Sequence, residues 1–270
     1  MDTERYRVRP GTVVDLDGFE PDSTEGFDGS KGDAREQNAE LTERLGELQV
    51  LLHASKAAKV LVVLQGMDTS GKDNTTRRVF EGVNPLGVRV AEFKRPTELE
   101  LAHDFLWRVG RQTPADGEIV VFNRSHYEDV LVVRVKGLVP EDQWEKRYAH
   151  IVDFERRLAD EGTVIRKFFL HISKDEQRER LQKRLDNPTK HWKFEHGDLT
   201  SRSHWGDYQE AYRLMLERTS TEQAPWYVVP ADRKWFRDLL VGRVLVDALE
   251  GLDMQWPPAG PDFDRLEIPD

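Results

Sequence analysis

Cysteine is absent from the 270 residues, so neither a disulfide framework nor a thiolate metal site is available to the chain. No apolar run approaches the roughly 20 residues that a membrane-spanning helix needs. The opening stretch, Met1 to Gly11, has no apolar segment of the kind a secretory signal carries. A cytoplasmic protein with no membrane partner is expected. Histidine occurs eight times without a helical metal-ligand spacing such as H-x-x-x-H, and isolated cases such as His103 and His150 read as structural. Positive charge is in deficit: 40 Lys and Arg stand against 50 Asp and Glu, for a formal net charge of −10. That balance argues against nucleic acid as a partner, though not against a local basic site. Internal repeats, low-complexity blocks and dividing linkers are also missing. One large α/β domain with appendages is the simplest expectation at this length.

The chain is organised around Val60 to Arg77, VLVVLQGMDTSGKDNTTR. Val60 to Leu64 is a short, sharply bounded apolar run rich in β-branched residues, which suits a strand buried on both faces. Gln65 and Gly66 end it, and Met67, Asp68, Thr69 and Ser70 lead to Gly71-Lys72, beyond which the sequence permits a helix. Strand, Gly-x-x-x-x-Gly-Lys, helix is the order of a phosphate-binding loop. The glycines let successive N–H groups point inward, the helix N-terminus adds partial positive charge, and Lys72 reaches the outer phosphates. Gly66, Thr69, Ser70, Gly71, Lys72, Asp73 and Asn74, with Glu128 further along the chain, are the candidate nucleotide- and phosphate-binding residues. Asp73 stands where a Ser or Thr hydroxyl ordinarily holds Mg²⁺. Asp68 puts a carboxylate inside the cradle, which is unfavourable unless a cation lies between it and the phosphate. Asp68 is thus the leading candidate metal ligand, for Mg²⁺ with Mn²⁺ as a substitute.

Residues 1–33 are rich in Gly, Asp, Pro and Ser, and read as an extended or partly disordered arm that wraps the domain or a neighbouring subunit. The main domain is expected over 34–252, with an irregular, Pro-rich tail over 253–270. A leucine stripe (Leu41, Leu45, Leu48, Leu52) predicts a helix from Ala34 to Ser55 that packs on the core. The loop helix is expected to end near Gly82. Further strands are predicted at Val88–Phe93, Glu118–Phe122, Val164–Ile172 and Trp226–Pro230. Further helices are predicted at Glu98–Val109, Glu141–Glu161, Ser201–Ser220 and Arg233–Leu249, the last capped by Asp232. Ser173 to Glu176 has the pattern of a capping box that opens another helix.

Two further stretches carry chemistry. The second buried strand runs into Asn123-Arg-Ser-His-Tyr-Glu-Asp129. The carboxyl ends of parallel strands open onto the ligand crevice, so Arg124 should face the phosphates and can clamp their oxygens bidentately, with Glu128 close by. From Arg178 to Lys193 the sequence reads RERLQKRLDNPTKHWK, six cations against two anions in an acidic chain. The cations Arg178, Arg180, Lys183, Arg184, Lys190 and Lys193 continue through the helix-breaking Asn187-Pro188, and share the stretch with Trp192 and Phe194. A solvated basic helix face is the plain alternative. A mobile lid, over about 178–199, fits better because the cluster is dense enough to attract a polyanion.

Together, Gly66–Asp73, Phe122–Asp129 and the basic stretch ending Arg184-Leu-Asp-Asn-Pro-Thr-Lys-His-Trp-Lys193 resemble the second family of polyphosphate kinases, over roughly Ala34 to Leu252. The resemblance implies a P-loop kinase-like three-layer α/β/α sandwich with a parallel central sheet and a helical basic lid. It implies reversible phosphoryl transfer between inorganic polyphosphate and adenine or guanine nucleotides, and the His-Tyr-Glu-Asp stretch resembles the subgroup that accepts both mono- and diphosphates. Position by position, it implies Asp68 as the Mg²⁺-binding carboxylate, Lys72 as the loop lysine, Arg124 as the arginine after the second strand and Arg184 as the lid arginine near the transferred phosphate. The other lid cations would hold the polymer. Many members have Asp where this chain has Asn123. A homodimer or homotetramer is the implied assembly. An ATP-dependent nucleotide kinase, a non-catalytic nucleotide switch and a nucleic-acid-end kinase are the rival functions.

Overall fold

The apolar run after Lys59 becomes the middle strand of a five-stranded sheet, because its residues are apolar at every position and can be covered from both sides. The computed structural model describes residues 1–260, 266, 268 and 269. The remainder of the expected tail lies outside the described residues. In chain order the elements are α1 (Lys31–Ser55), β1 (Lys59–Gln65), α2 (Lys72–Val79), β2 (Val88–Glu92), α3 (Glu98–Leu101), α4 (Trp107–Gly110), β3 (Ile119–Asn123), α5 (Val132–Val135), α6 (Glu141–Asp160), β4 (Thr163–His171), α7 (Lys174–Leu185), α8 (His196–Ser203), α9 (Trp205–Thr219), β5 (Trp226–Pro230) and α10 (Lys234–Glu250).

The strands lie in the order β2-β3-β1-β4-β5, and every neighbouring pair is parallel. Alternate residues of β1 enter different cores. Val60, Val62 and Leu64 pack with the α1 leucines and with Phe236, Leu240 and Val244 of α10. Leu61 and Val63 pack with Tyr148 and Ile151 of α6 and with Tyr212 and Met215 of α9. The fold is therefore a three-layer α/β/α sandwich. The chain leaves β1 for one side of the sheet and later returns to its other side. That reversal is the switch point where α/β sheets open a ligand crevice, and it lies at the carboxyl end of β1.

All five predicted strands are present, but several helical expectations change; the loop helix, for one, ends at Val79 and not near Gly82. The helix expected over 98–109 divides into α3 and α4, because Asp104 accepts the Leu106 N–H with its side chain (3.0 Å) and the Trp107 N–H with its carbonyl, restarting the helix. The helix expected over 201–220 begins earlier, at His196, and breaks at His204 into α8 and α9. Asp232 does not cap α10: its carboxylate accepts the Ser173 N–H at 2.9 Å instead, leaving α10 without a side-chain cap. Ser173 does cap α7, yet only half the expected box forms, since the Glu176 carboxylate turns to Arg180 at 2.6 Å.

The N-terminal arm is ordered against its own domain. Val8 donates to the Trp226 carbonyl at 2.8 Å, and Arg7 forms an antiparallel bridge with Tyr227. Tyr6, Val8, Val14 and Leu16 are buried. The arm thereby covers the outer edge of β5, which would otherwise present unpaired backbone groups. α1 starts three residues before the expected Ala34, where Ser30 and Asp33 form a complete capping box. At the other end, Met254 is buried in the same core as α1 and α10.

Candidate active site

The loop between β1 and α2 is held open by two glycines and braced from below by two arginines. Gly66 has φ +150°, and a Cβ there would stand 2.7 Å from the Leu170 carbonyl oxygen. Gly71 has φ +108°, and a Cβ would overlap the Arg237 guanidinium. Beneath the loop, Arg180 donates from Nη1 to the Thr69 and Ser70 carbonyls (3.0 and 3.1 Å) and from Nη2 to those of Ala231 and Asp232 (2.6 and 3.1 Å). Arg237 reaches the Ser70 carbonyl at 3.4 Å and is held by Asp238. With these carbonyls drawn downward, loop N–H groups can face the crevice, although that of Ser70 donates to the Met67 carbonyl at 3.0 Å. The Thr69 and Ser70 hydroxyl oxygens are buried and have no hydrogen-bond partner among the described residues.

Lys72 lies across the loop, buried, with Nζ donating to the Gly66 carbonyl at 2.7 Å and the Met67 carbonyl at 3.3 Å. Burial, reinforced by the neighbouring Arg124, lowers its pKa to about 8. Arg124, just past the end of β3, adopts φ +62°, a strained conformation for a non-glycine residue. Its Nη2 meets Asp68 Oδ1 at 3.0 Å and its Nη1 lies 4.0 Å from Glu128 Oε2. The two carboxylates, Glu128 foremost, raise the Arg124 pKa against the opposing effect of its partial burial. Gln65, with its amide oxygen toward the Ser125 N–H, donates to Glu128 Oε1 at 3.1 Å.

Across this crevice lies the basic stretch expected to act as a lid. It consists of the C-terminal half of α7, a 3₁₀ turn at Pro188–Lys193 and the start of α8. Lys193 Nζ lies 3.3 Å from Asp73 Oδ2, while Asn123 donates to Asp73 Oδ1 at 2.9 Å. Burial opposes the Asp73 charge, but the Asn123 amide and Lys193 outweigh it and hold the carboxyl below its usual range. Arg184 donates to the Lys193 carbonyl (3.1 Å) and pairs with the buried Asp198 (3.4 Å). Burial and the charge of Asp68 both push Asp198 upward.

Of the residues singled out in the sequence, the structure brings Asp68, Lys72, Arg124 and Glu128 together, and sets Asp73 and Lys193 at the opposite rim. Arg184 is tied within the lid rather than to Asp68. Asn74 lies on the outer side of α2, lining a groove with Arg77 and α1. Arg178, Lys183 and Lys190 are exposed, Lys183 pairing with Glu179 at 2.9 Å. Arg180 departs most from expectation: it is buried and fully engaged under the loop, not displayed on the lid. Trp192 is 77% exposed and carries Lys193 Nζ 4.9 Å from its ring centre.

Among the described residues no three His, Asp or Glu side chains form a metal cage. Mg²⁺ does not require one, since it is commonly held by one or two carboxylates together with waters and substrate phosphates. Asp68 and Glu128, meeting on one guanidinium at the mouth of the loop, fit that donor chemistry. Sequence reasoning missed Arg237, and a buried Glu155–Lys167 pair behind the crevice (2.6 Å). Both leave a trace in the sequence: Arg237 sits among Phe236, Leu239 and Leu240, and Lys167 interrupts the apolar strand VIRKFFLHI. A charge inside an apolar run has to find a partner.

Known proteins resemble this chain in sequence and in fold. Residues 28–257 match the family described as Polyphosphate kinase 2 (PPK2). The chain is 62% identical over 265 residues to the AMP/ADP-polyphosphate phosphotransferase of Meiothermus ruber, covering 98% of this chain and 99% of that one. It is 45% identical to the ADP-polyphosphate phosphotransferase of Rhodopseudomonas palustris, over 96% of this chain and 93% of that one. The crystal structure of polyphosphate kinase 2 from Arthrobacter aurescens TC1 superposes with a TM-score of 0.90 at 48% identity, covering 93% of this chain and 90% of that one. With a family match over residues 28–257 and relatives this similar over nearly their whole length, this chain belongs to the polyphosphate kinase 2 family.

Proposed function

We propose that the chain transfers a phosphoryl group reversibly between inorganic polyphosphate and AMP or ADP. The observation that carries this is the lid: a strand of cations docked by Lys193 onto the rim of the phosphate cradle, with Arg178 and Lys190 left exposed along the approach. A mononucleotide does not need so extended a run of positive charge, whereas a polymer with a charge on every repeat does.

In the forward direction a terminal phosphate oxygen of the nucleotide attacks the end phosphorus of the polymer. The anhydride P–O bond behind that phosphorus breaks, and the shortened polymer leaves with the bonding pair. Lys72 and Arg124 hold the oxygens of the transferring group as charge redistributes, and the loop N–H groups fix its position. Closure of Arg184 and Lys193 from the lid excludes water, which would otherwise accept the phosphoryl group. Asp68, with Glu128 behind it, would hold a divalent cation, Mg²⁺ or Mn²⁺ in its place, which when bound would supply neutralisation of phosphate charge. No side chain is required as a nucleophile.

The test is ATP formation from ADP, polyphosphate and Mg²⁺ with no other donor present, followed by ADP formation from AMP. Absence of transfer in both overturns the proposal. Because exposed charges are screened beyond about 8 Å at physiological ionic strength, KM for the polymer should rise with added salt, and more steeply than KM for the nucleotide.

The lid cations should also separate by burial. Lys190→Ala is expected to raise the polymer KM several-fold, by loss of roughly 1 kcal/mol of exposed charge attraction, and to leave the nucleotide KM unchanged. Arg180→Met removes the donors to four carbonyls. It should lower stability by about 2–4 kcal/mol and weaken nucleotide and polymer alike. Titration of each substrate against each variant checks this.

A further inference from the structure

The turn that follows Arg124 and carries Glu128 is clamped from behind by a buried charged network that takes no part in the chemistry described above. After β3 the chain enters a 3₁₀ turn, His126–Asp129, whose side chains divide between two directions. Glu128 faces Arg124. His126, Tyr127 and Asp129 face the opposite way, into α6 and β4. Tyr127 donates to Glu155 Oε1 at 2.7 Å, and His126 Nε2 lies 3.2 Å from the same oxygen. Lys167 Nζ donates to Glu155 Oε2 (2.6 Å), to the Tyr127 hydroxyl (2.9 Å) and to the Thr219 carbonyl (2.7 Å). All three donors of the ammonium are used. Eight residues earlier on α6, Arg147 holds the other end of the turn, meeting Asp129 Oδ1 at 2.9 Å and its carbonyl at 3.1 Å.

Glu155 and Lys167 are 1% and 0% exposed. An apolar pair in that place would stabilise the core at least as well, because two buried charges must first be stripped of water. Stability is therefore a poor account of their presence. Geometry gives a better one. Arg124 sits at φ +62°, and such a conformation persists only where the surroundings over-determine it. Hydrogen bonds fix a turn in direction as well as in depth, which packing of apolar side chains does less strictly.

We infer that Tyr127, Glu155 and Lys167 are positioning residues for phosphoryl transfer, locking the His126–Asp129 turn so that Arg124 and Glu128 are held in register with Asp68. The inference rests on the proposed transfer reaction for its kinetic arm alone. Tyr127→Phe deletes the hydroxyl and keeps the ring. It is expected to lower kcat by about tenfold to 100-fold, the range for slight misplacement of a reacting group, with the nucleotide KM little changed and the thermal midpoint lowered by several degrees, since one donor of the buried Lys167 ammonium loses its acceptor. In a Glu128→Gln background the same substitution should cost less than about threefold, since coupled residues are not additive. A second variant, Glu155→Gln with Lys167→Met, leaves no buried charge unpaired and should reproduce the kcat loss while folding normally. Independent, multiplicative losses in the Tyr127/Glu128 cycle, or unchanged kcat in both variants, overturn the inference. If the wild-type protein transfers no phosphate, the proposed function fails, and the crystal structure of the Tyr127→Phe variant then decides this inference separately. An Arg124–Asp68 contact still at 3.0 Å with Arg124 unmoved refutes it; a displaced Arg124 supports it.

Discussion

Lys72→Met is expected to reduce kcat/KM for phosphoryl transfer by about 10³-fold, in line with loss of a charged donor at a transferring phosphate. The side chain is buried and already donates to two loop carbonyls, so its replacement by a neutral chain of similar length removes charge with little change in volume. The wild-type pH profile should carry the same signature. Burial lowers the Lys72 pKa to about 8 in the free protein, whereas an unperturbed lysine titrates near 10.4. The protonated form binds anions. As pH rises through about 8 the free protein loses that proton, and log(kcat/KM) should turn downward toward a slope of −1. Bound phosphate stabilises the ammonium, so kcat, which reports the complex, should bend at higher pH. Steady-state kinetics between pH 6.5 and 10 checks both limbs. A kcat/KM that stays level past pH 9.5 would place the charge on which transfer depends elsewhere.

The parts of this molecule that short-range pattern specifies were open to reading in the sequence. Five strands, the loop after β1 and the direction of Arg124 follow from apolar runs, from glycine spacing and from the rule that parallel strands point their carboxyl ends at the ligand. The side chains that hold the site in shape were less accessible, because each depends on a partner remote in sequence. Arg180 and Arg178 are equivalent by composition, yet one is buried under the loop and the other is solvent-exposed. Helical phase distinguishes them: Gln177, Arg180 and Leu181 share the buried face of α7, so a stripe drawn through Leu181 would have turned Arg180 inward. The link from Asn123 to Asp73 and on to Lys193 joins a strand end, a helix start and a lid. No window of sequence contains all three. Asp73 stands in for a hydroxyl that would bind metal in other phosphate loops, and here it docks a lysine of the lid. Its substitution therefore changes what closes the crevice as well as what the loop can hold.

Gly71→Ala should be strongly damaging, although it adds only a methyl group near the site. Two independent causes act together. At φ +108° an L-residue is strained by roughly 1–3 kcal/mol. The added Cβ also overlaps the Arg237 guanidinium, and forcing extra volume into packed surroundings costs about 1–3 kcal/mol more. Arg237 has little room to yield: it is 1% exposed, and Asp238 grips it through Nε and Nη2 at 2.8 and 2.7 Å. The expected loss is about 2–6 kcal/mol, which at roughly 2–4 °C per kcal/mol for a domain of this size should appear as a fall of many degrees in Tm. Relief can come only from lifting the loop away from Arg237, which would swing Lys72 and the loop N–H groups out of line with Arg124. Variant protein that does fold should therefore bind nucleotide poorly, so that melting and nucleotide titration fail together. A variant that melts like the wild type and retains its nucleotide KM would mean that Arg237 does not support the loop from below.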